Sequence, residues 1–190
     1  MQEEVQLTYE ISKSGDQHVR LVFDVKNGLP ADIYLFTPLT DYRGQRFVPI
    51  PNRVYVFWED QETLHLTKRL WPIPKGVSVY MPEVPYLTRV PMGATHHEDL
   101  QLPLPLLVNF PYRFPDAIDE ASRGTVVTSP AARLVFSIGY LVSKTPGREQ
   151  DIVPEKVDQN YRVGYGLANK NQVILRGKPV DLPVTAKDVK

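Results

Sequence analysis

The chain has 190 residues, carries 22 lysines and arginines against 22 aspartates and glutamates, and contains no cysteine. Zero formal charge removes the long-range field that draws a protein to nucleic acid or an anionic membrane, so either partner would need a local basic patch. Without cysteine there are no disulfides, thiolate nucleophiles or cysteine zinc sites, and the redox compartment stays open.

No run approaches the roughly 18 apolar residues of a membrane-spanning helix, and the start Met1-Gln2-Glu3-Glu4 lacks the basic and apolar regions of a secretory signal. The same start fits a mature exported domain and a cytoplasmic protein equally well. A length of this order suits one domain, expected over 1–190.

Val5, Leu7, Tyr9 and Ile11 alternate with Glu4, Gln6, Thr8 and Glu10, the period-2 pattern of a strand with one buried and one wet face. Lys13 to Asp16 supply turn chemistry before Val19, Leu21, Phe23 and Val25, so the first predicted element pair is a hairpin that turns both apolar rows into one core. Asn27 to Pro30 break the ladder, and Ile33 to Phe36, apolar on both faces, predicts a central strand. A turn at Tyr42 to Gln45 is followed by strands over Val54 to Trp58 and Leu64 to Leu66, joined through the acidic turn 59–62.

Between residues 72 and 115 proline recurs every few positions, and because proline cannot donate to a ladder the region should hold edges, connections and short strands, at 77–81 and 87–90. A short helix is expected at 115–124, where Asp116 can cap and Gly124 can stop it. The longest strand signal runs over 133–142, with Gly139 as a bulge or close-packing point. The stretch 145–159 reads as a long exposed loop, 161–167, 173–175 and 180–184 as terminal strands, and 186–190 as a fraying tail.

About nine to eleven short strands with at most one short helix give an all-β chain, an immunoglobulin-like antiparallel β-sandwich, with a closed antiparallel barrel as the alternative. The strand ending at Asn27, a later glycine-containing turn and the run Val90-Pro91-Met92-Gly93-Ala94-Thr95 before a polar strand resemble bacterial immunoglobulin-like accessory domains, including the intracellular proteinase-inhibitor type, over about half of the chain. The resemblance implies a sandwich and assigns no functional residue.

His96, His97, Glu98 and Asp99 are the densest set of metal-ligating residue types. Alternation along a strand pairs His96 with Glu98 and His97 with Asp99, so a metal would need a third ligand from elsewhere. A Gly-x-Ser-x-Gly elbow is missing, and Ser137 reads as a packed strand residue. Gly164-Tyr165-Gly166 lacks the third glycine of a phosphate loop and reads as a strand bend, and no cofactor is expected. Arg43, Arg46 and Arg53 with Tyr42 and Phe47 form a basic and aromatic cluster diluted by Asp41, read as a solvated turn.

Aromatic residues at strand ends and loops, among them Trp58, Trp71, Tyr86 and Tyr112, are the remaining resource, because exposed rings stack on sugars or anchor a protein partner. The functional expectation is a non-enzymatic binding module for a protein or carbohydrate. The alternative is a metal-dependent protein or hydrolase centred on His96 to Asp99.

Overall fold

The computed structural model describes residues 4–44, 46–112, 126–144 and 151–189. The protein is all-β, its sheets mainly antiparallel and, among the described residues, none closed into a barrel, as in a β-sandwich. The first sheet holds β1 (Val5–Ser14), β2 (His18–Asn27) and β9 (Thr95–Pro103) in the order β1-β2-β9. The β1–β2 hairpin runs in unbroken register from Val5 opposite Asn27 to Ser14 opposite His18, with Gly15 taking φ +66° in its turn.

The second sheet is organised by β11 (Val126–Val142), which pairs antiparallel with β15 (Val180–Val189), β14 (Val173–Arg176) and β3 (Ile33–Leu35) and parallel with β7 (Thr63–Lys68). Outside these lie β6 (Tyr55–Trp58) against β7, β8 (Thr88–Val90) against β3 and β10 (Leu106–Leu107) against β15. Two hairpins stand apart as sheets of their own, β4 (Leu39–Arg43) with β5 (Arg46–Ile50) and β12 (Glu155–Val157) with β13 (Asn160–Arg162).

Val19, Leu21, Phe23 and Val25 of β2 are fully buried and share one core cluster with Ile33, Leu35, Leu64, Leu66, Leu134, Phe136 and Ile138 of the opposite sheet. Phe23 and Phe136 meet across the sandwich at 4.7 Å. Burying such side chains stabilises by roughly 1.5–3 kcal/mol each before chain entropy is subtracted. The other face of β3 and β11 carries a second cluster, with Tyr34, Phe36 and Leu141 packed on Leu70, Leu87, Ile152 and Ala168. Both faces of β3 are therefore covered, which is why Ile33 to Phe36 shows no polar alternation.

Several expectations need correction. Fifteen strands are described, because β4, β5, β12 and β13 are hairpin arms too short to show a period of their own. Residues 77–81 form no strand, whereas β9 runs nine residues through the proline-rich region, at the edge of its sheet. The run 161–167 divides instead into β13 and a helix, α1 (Tyr165–Asn171), because Ala168 is wholly buried in the second cluster and its N–H closes the first turn on the Gly164 carbonyl at 3.0 Å. The supposed loop 145–159 holds β12 and the turn into β13, and the tail 186–189 is paired with β11 rather than frayed. The main core strand starts at Val126, well before Arg133. Gly139 is a close-packing point, since a Cβ there would sit 3.0 Å from both Arg69 Cβ and the Phe36 ring. The helix expected at 115–124 and residues 145–150 lie outside the described residues.

Candidate functional site

Strand β9 places four neighbouring side chains on opposite faces. His96 and Glu98 are half-buried, while His97 and Asp99 are exposed. His97 Nδ1 meets Asp24 Oδ1 at 2.8 Å, and Asp99 takes a forked pair from Arg20, Nε at 3.0 Å and Nη2 at 2.6 Å. On the other face His96 Nε2 lies 2.9 Å from Glu98 Oε1. Among the described residues no group of three or more histidines and carboxylates is arranged to hold a metal ion.

Glu98 instead belongs to a buried ion pair. Lys68, whose side chain is fully buried at the end of β7, donates to Glu98 Oε2 at 2.7 Å, to Thr37 Oγ1 at 3.1 Å and to the Pro51 carbonyl at 2.9 Å. Three donors meet three acceptors, so the ammonium is saturated. Thr37 Oγ1 in turn donates to Glu98 Oε1 at 2.7 Å. Burial pushes the Glu98 carboxyl up, but hydrogen bonds from His96, Lys68 and Thr37 and the Lys68 charge outweigh it and hold the group at about 2. Burial pulls Lys68 down while Glu98 opposes that shift. The pair stays ionised because each charge has its counter-charge within hydrogen-bond distance.

A cavity of about 380 Å³ opens beside this pair. Its walls come from the β3–β4 connection (Thr37, Pro38), the end of β5 with the turn after it (Pro49, Pro51, Asn52), Thr88 of β8, Glu98 to Leu100 of β9, and Gln159 of the β12–β13 turn with Asn160 at the start of β13.

A second concavity, also about 380 Å³, is aromatic. Tyr42 and Phe47, facing each other at 5.4 Å on the β4–β5 hairpin, line it with Tyr80, Met81 and Tyr112. Tyr80 is wholly exposed, Tyr42 is 52% exposed and Met81 41%. Glu83 also lines it; its Oε1 accepts from Tyr55 Oη at 2.7 Å and lies 3.9 Å from Arg53 Nη1. Burial raises the Glu83 carboxyl, while the Tyr55 hydrogen bond and the Arg53 charge pull it back. Tyr112, in the left-handed region at φ +57°, accepts the Glu83 N–H at 2.7 Å through its hydroxyl. That bond ties the loop at Tyr112 to the loop that carries Tyr80.

The other aromatic candidates are placed differently. Trp71 stacks on Phe110 at 4.9 Å, meets Phe57 edge-on at 5.1 Å and lies under the Arg69 guanidinium at 4.4 Å. Trp58 packs on the main core, and Tyr86 is 9% exposed beneath Arg162. None of these three lines either cavity. The arginines beside the aromatic concavity are matched: Arg43 pairs with Asp41 at 3.1 Å, and Arg53 lies 3.5 Å from Asp41.

Ser137 is fully buried. Its Oγ lies 2.8 Å from His65 Nε2 and 2.7 Å from Thr67 Oγ1, and Glu59 stands 3.9 Å from His65 Nδ1. These are the residue types of a nucleophile, base and acid, but the hydroxyl has no path to a substrate. Burial, with help from Arg69 and Arg176 and against Glu59, lowers His65 to about 4, so at neutral pH it is an uncharged partner of the two hydroxyls.

Sequence reasoning missed Lys68 and Glu83 as members of these sites, placed Tyr80 only among the aromatic residues of strand ends and loops, and read Tyr42 as part of a solvated turn. A signal existed for Lys68, which falls in phase with Leu64 and Leu66 on one strand face. For Glu83 there was none, because residues 77–84 take no regular element. The chain matches no family model, no curated protein and no solved structure.

Proposed function

We propose that this protein is a non-enzymatic interaction module that holds an apolar segment of another protein in the concavity between Tyr42, Phe47, Tyr80, Met81 and Tyr112. The observation that carries the reading is the wholly solvent-exposed Tyr80, standing with the half-exposed Tyr42 and Met81 around one hollow. Tyrosine and methionine are the residue types enriched at protein interfaces, where rings offer large contact area at low entropic cost and methionine adapts to its partner. The nearby charges are Asp41, Glu83, Arg43 and Arg53, paired among themselves, which favours an uncharged, apolar guest. A sugar ring is a poorer guest, because besides Glu83 the lining offers only tyrosine hydroxyls to its many polar groups.

The test is a photo-crosslinking residue in place of Tyr80 in the cell that makes the protein, compared with the same residue in place of Val173, which is exposed on a different element. A discrete adduct at position 80, absent at 173 and abolished by Tyr42→Ala, is the expected result. Equal labelling at the two positions, or none at 80, overturns the reading.

A further inference from the structure

The cavity beside Lys68 and Glu98 lies apart from the aromatic concavity and shares none of its lining residues. At about 380 Å³ it falls in the range of small-molecule sites. Five segments distant in sequence converge on it, four of them at or beside strands of the two main sheets and the β4–β5 hairpin, so its shape is set by the scaffold and not by one loop.

Its charges select against ions. Glu98 is matched by Lys68 at 2.7 Å and Asp99 by Arg20 at 2.6 Å, so neither carboxylate is left to attract a cation. An anion would approach the Glu98 carboxylate, with the nearby ammonium already saturated by three acceptors. What remains is neutral hydrogen-bonding capacity. Among the described residues, Glu98 Oε2 accepts only from Lys68 and retains a lone-pair direction. Thr88 Oγ1 donates to the Thr37 carbonyl at 2.8 Å and keeps its acceptor sites. Among the described residues, the side-chain amides of Asn52, Gln159 and Asn160 have no hydrogen-bond partner, and each can donate and accept at once. Pro38, Pro49 and Leu100 add apolar wall. Groups that both donate and accept, set against an apolar wall, match a molecule whose hydroxyls do the same and whose ring presents C–H faces.

We propose that this cavity binds a neutral monosaccharide, with the Glu98 carboxylate and the Thr88, Asn52 and Asn160 side chains receiving its hydroxyls. Lys68 acts as a positioning residue that fixes Glu98 in its ionised form and touches no ligand. This site is independent of the protein-binding reading, and its ligand is not displaced by changes at Tyr80.

The experiment is a titration of the isotopically labelled full chain, followed by backbone amide NMR shifts. The probes are glucose, galactose and mannose, with glucosamine and glucuronate as charged counterparts, each to roughly 50 mM, well beyond the ~1 mM range of weak specific binding. At least one neutral hexose should give saturable shifts centred on Thr88, Leu100 and Asn160. Asn160→Ala or Asn52→Ala should weaken it roughly tenfold with an unchanged melting temperature, and Tyr80→Ala should leave it unaltered. The proposal is overturned by the absence of saturable shifts with all three neutral hexoses, by saturable shifts centred elsewhere, by tighter binding of either charged sugar, or by full affinity in both asparagine variants. The asparagine variants carry the test because they leave the Lys68–Glu98 pair intact.

Discussion

The Lys68–Glu98 centre and the Tyr42–Tyr80 concavity differ in what their groups have already found. Every charge in the first is matched inside the fold: Lys68 has three acceptors, and Glu98 has Lys68, His96 and Thr37. The second leaves large rings in water, with Tyr80 fully and Tyr42 half exposed. A group whose partners are inside the protein contributes to stability, whereas an exposed ring with none is available to a partner. Polar density alone at His96 through Asp99 therefore marks a buried ion pair on one strand face and, on the other, the exposed Arg20–Asp99 pair and the His97–Asp24 contact.

The sharpest way to break this contrast is Glu98→Gln. Removing one member of a buried pair leaves Lys68 without its counter-charge and should cost about 3–5 kcal/mol in denaturant unfolding. The joint replacement Lys68→Met with Glu98→Leu should recover most of that loss, because two apolar groups of similar volume need no partner. If Glu98→Gln unfolds within about 1 kcal/mol of the parent, the pair is not the structural element described.

Acid should act next. His65 is held at about 4 against an ordinary 6.5, so as pH falls the unfolded chain takes up that proton first and stability declines between those values, on the order of 3 kcal/mol in all. Glu98 is held at about 2 against an ordinary 4.5, so its contribution is complete above 4.5 and lost as pH falls towards 2. Urea unfolding across the acid range should show both declines, and His65→Gln should flatten the upper one. A stability profile unchanged from pH 7 to 4 would contradict the burial of His65.

The smallest effect belongs to the aromatic concavity. Tyr80→Ala, at a fully exposed side chain, should change unfolding stability by no more than about 0.5 kcal/mol. Tyr112→Phe, which removes the hydroxyl that accepts from Glu83 N–H, should cost about 1 kcal/mol. A large loss with Tyr80→Ala would place that ring among the structural residues and remove the contrast between the two regions.

The sequence alone determined the strands whose pattern is local. The alternation of Val5 to Ile11 against Val19 to Val25 specifies the first hairpin and its buried face, because a one-residue slip would turn Leu21 and Phe23 to water. The all-apolar run Ile33 to Phe36 and the acidic turn after Trp58 were legible for the same reason. Alternation also separated His96 and Glu98 from His97 and Asp99 before any partner was known. Tertiary structure alone decided the rest. Whether Gly164 to Asn171 continues a strand or turns into a helix depends on the space beneath Ala168, made by Tyr34, Phe36 and Leu141 of other strands. Which side chain completes Glu98 depends on β7 and the Thr37 connection arriving from 30 and 61 residues away. Long-range pairs of this kind leave no period in the chain, since their geometry is set by the packing of two sheets and not by the spacing of neighbours.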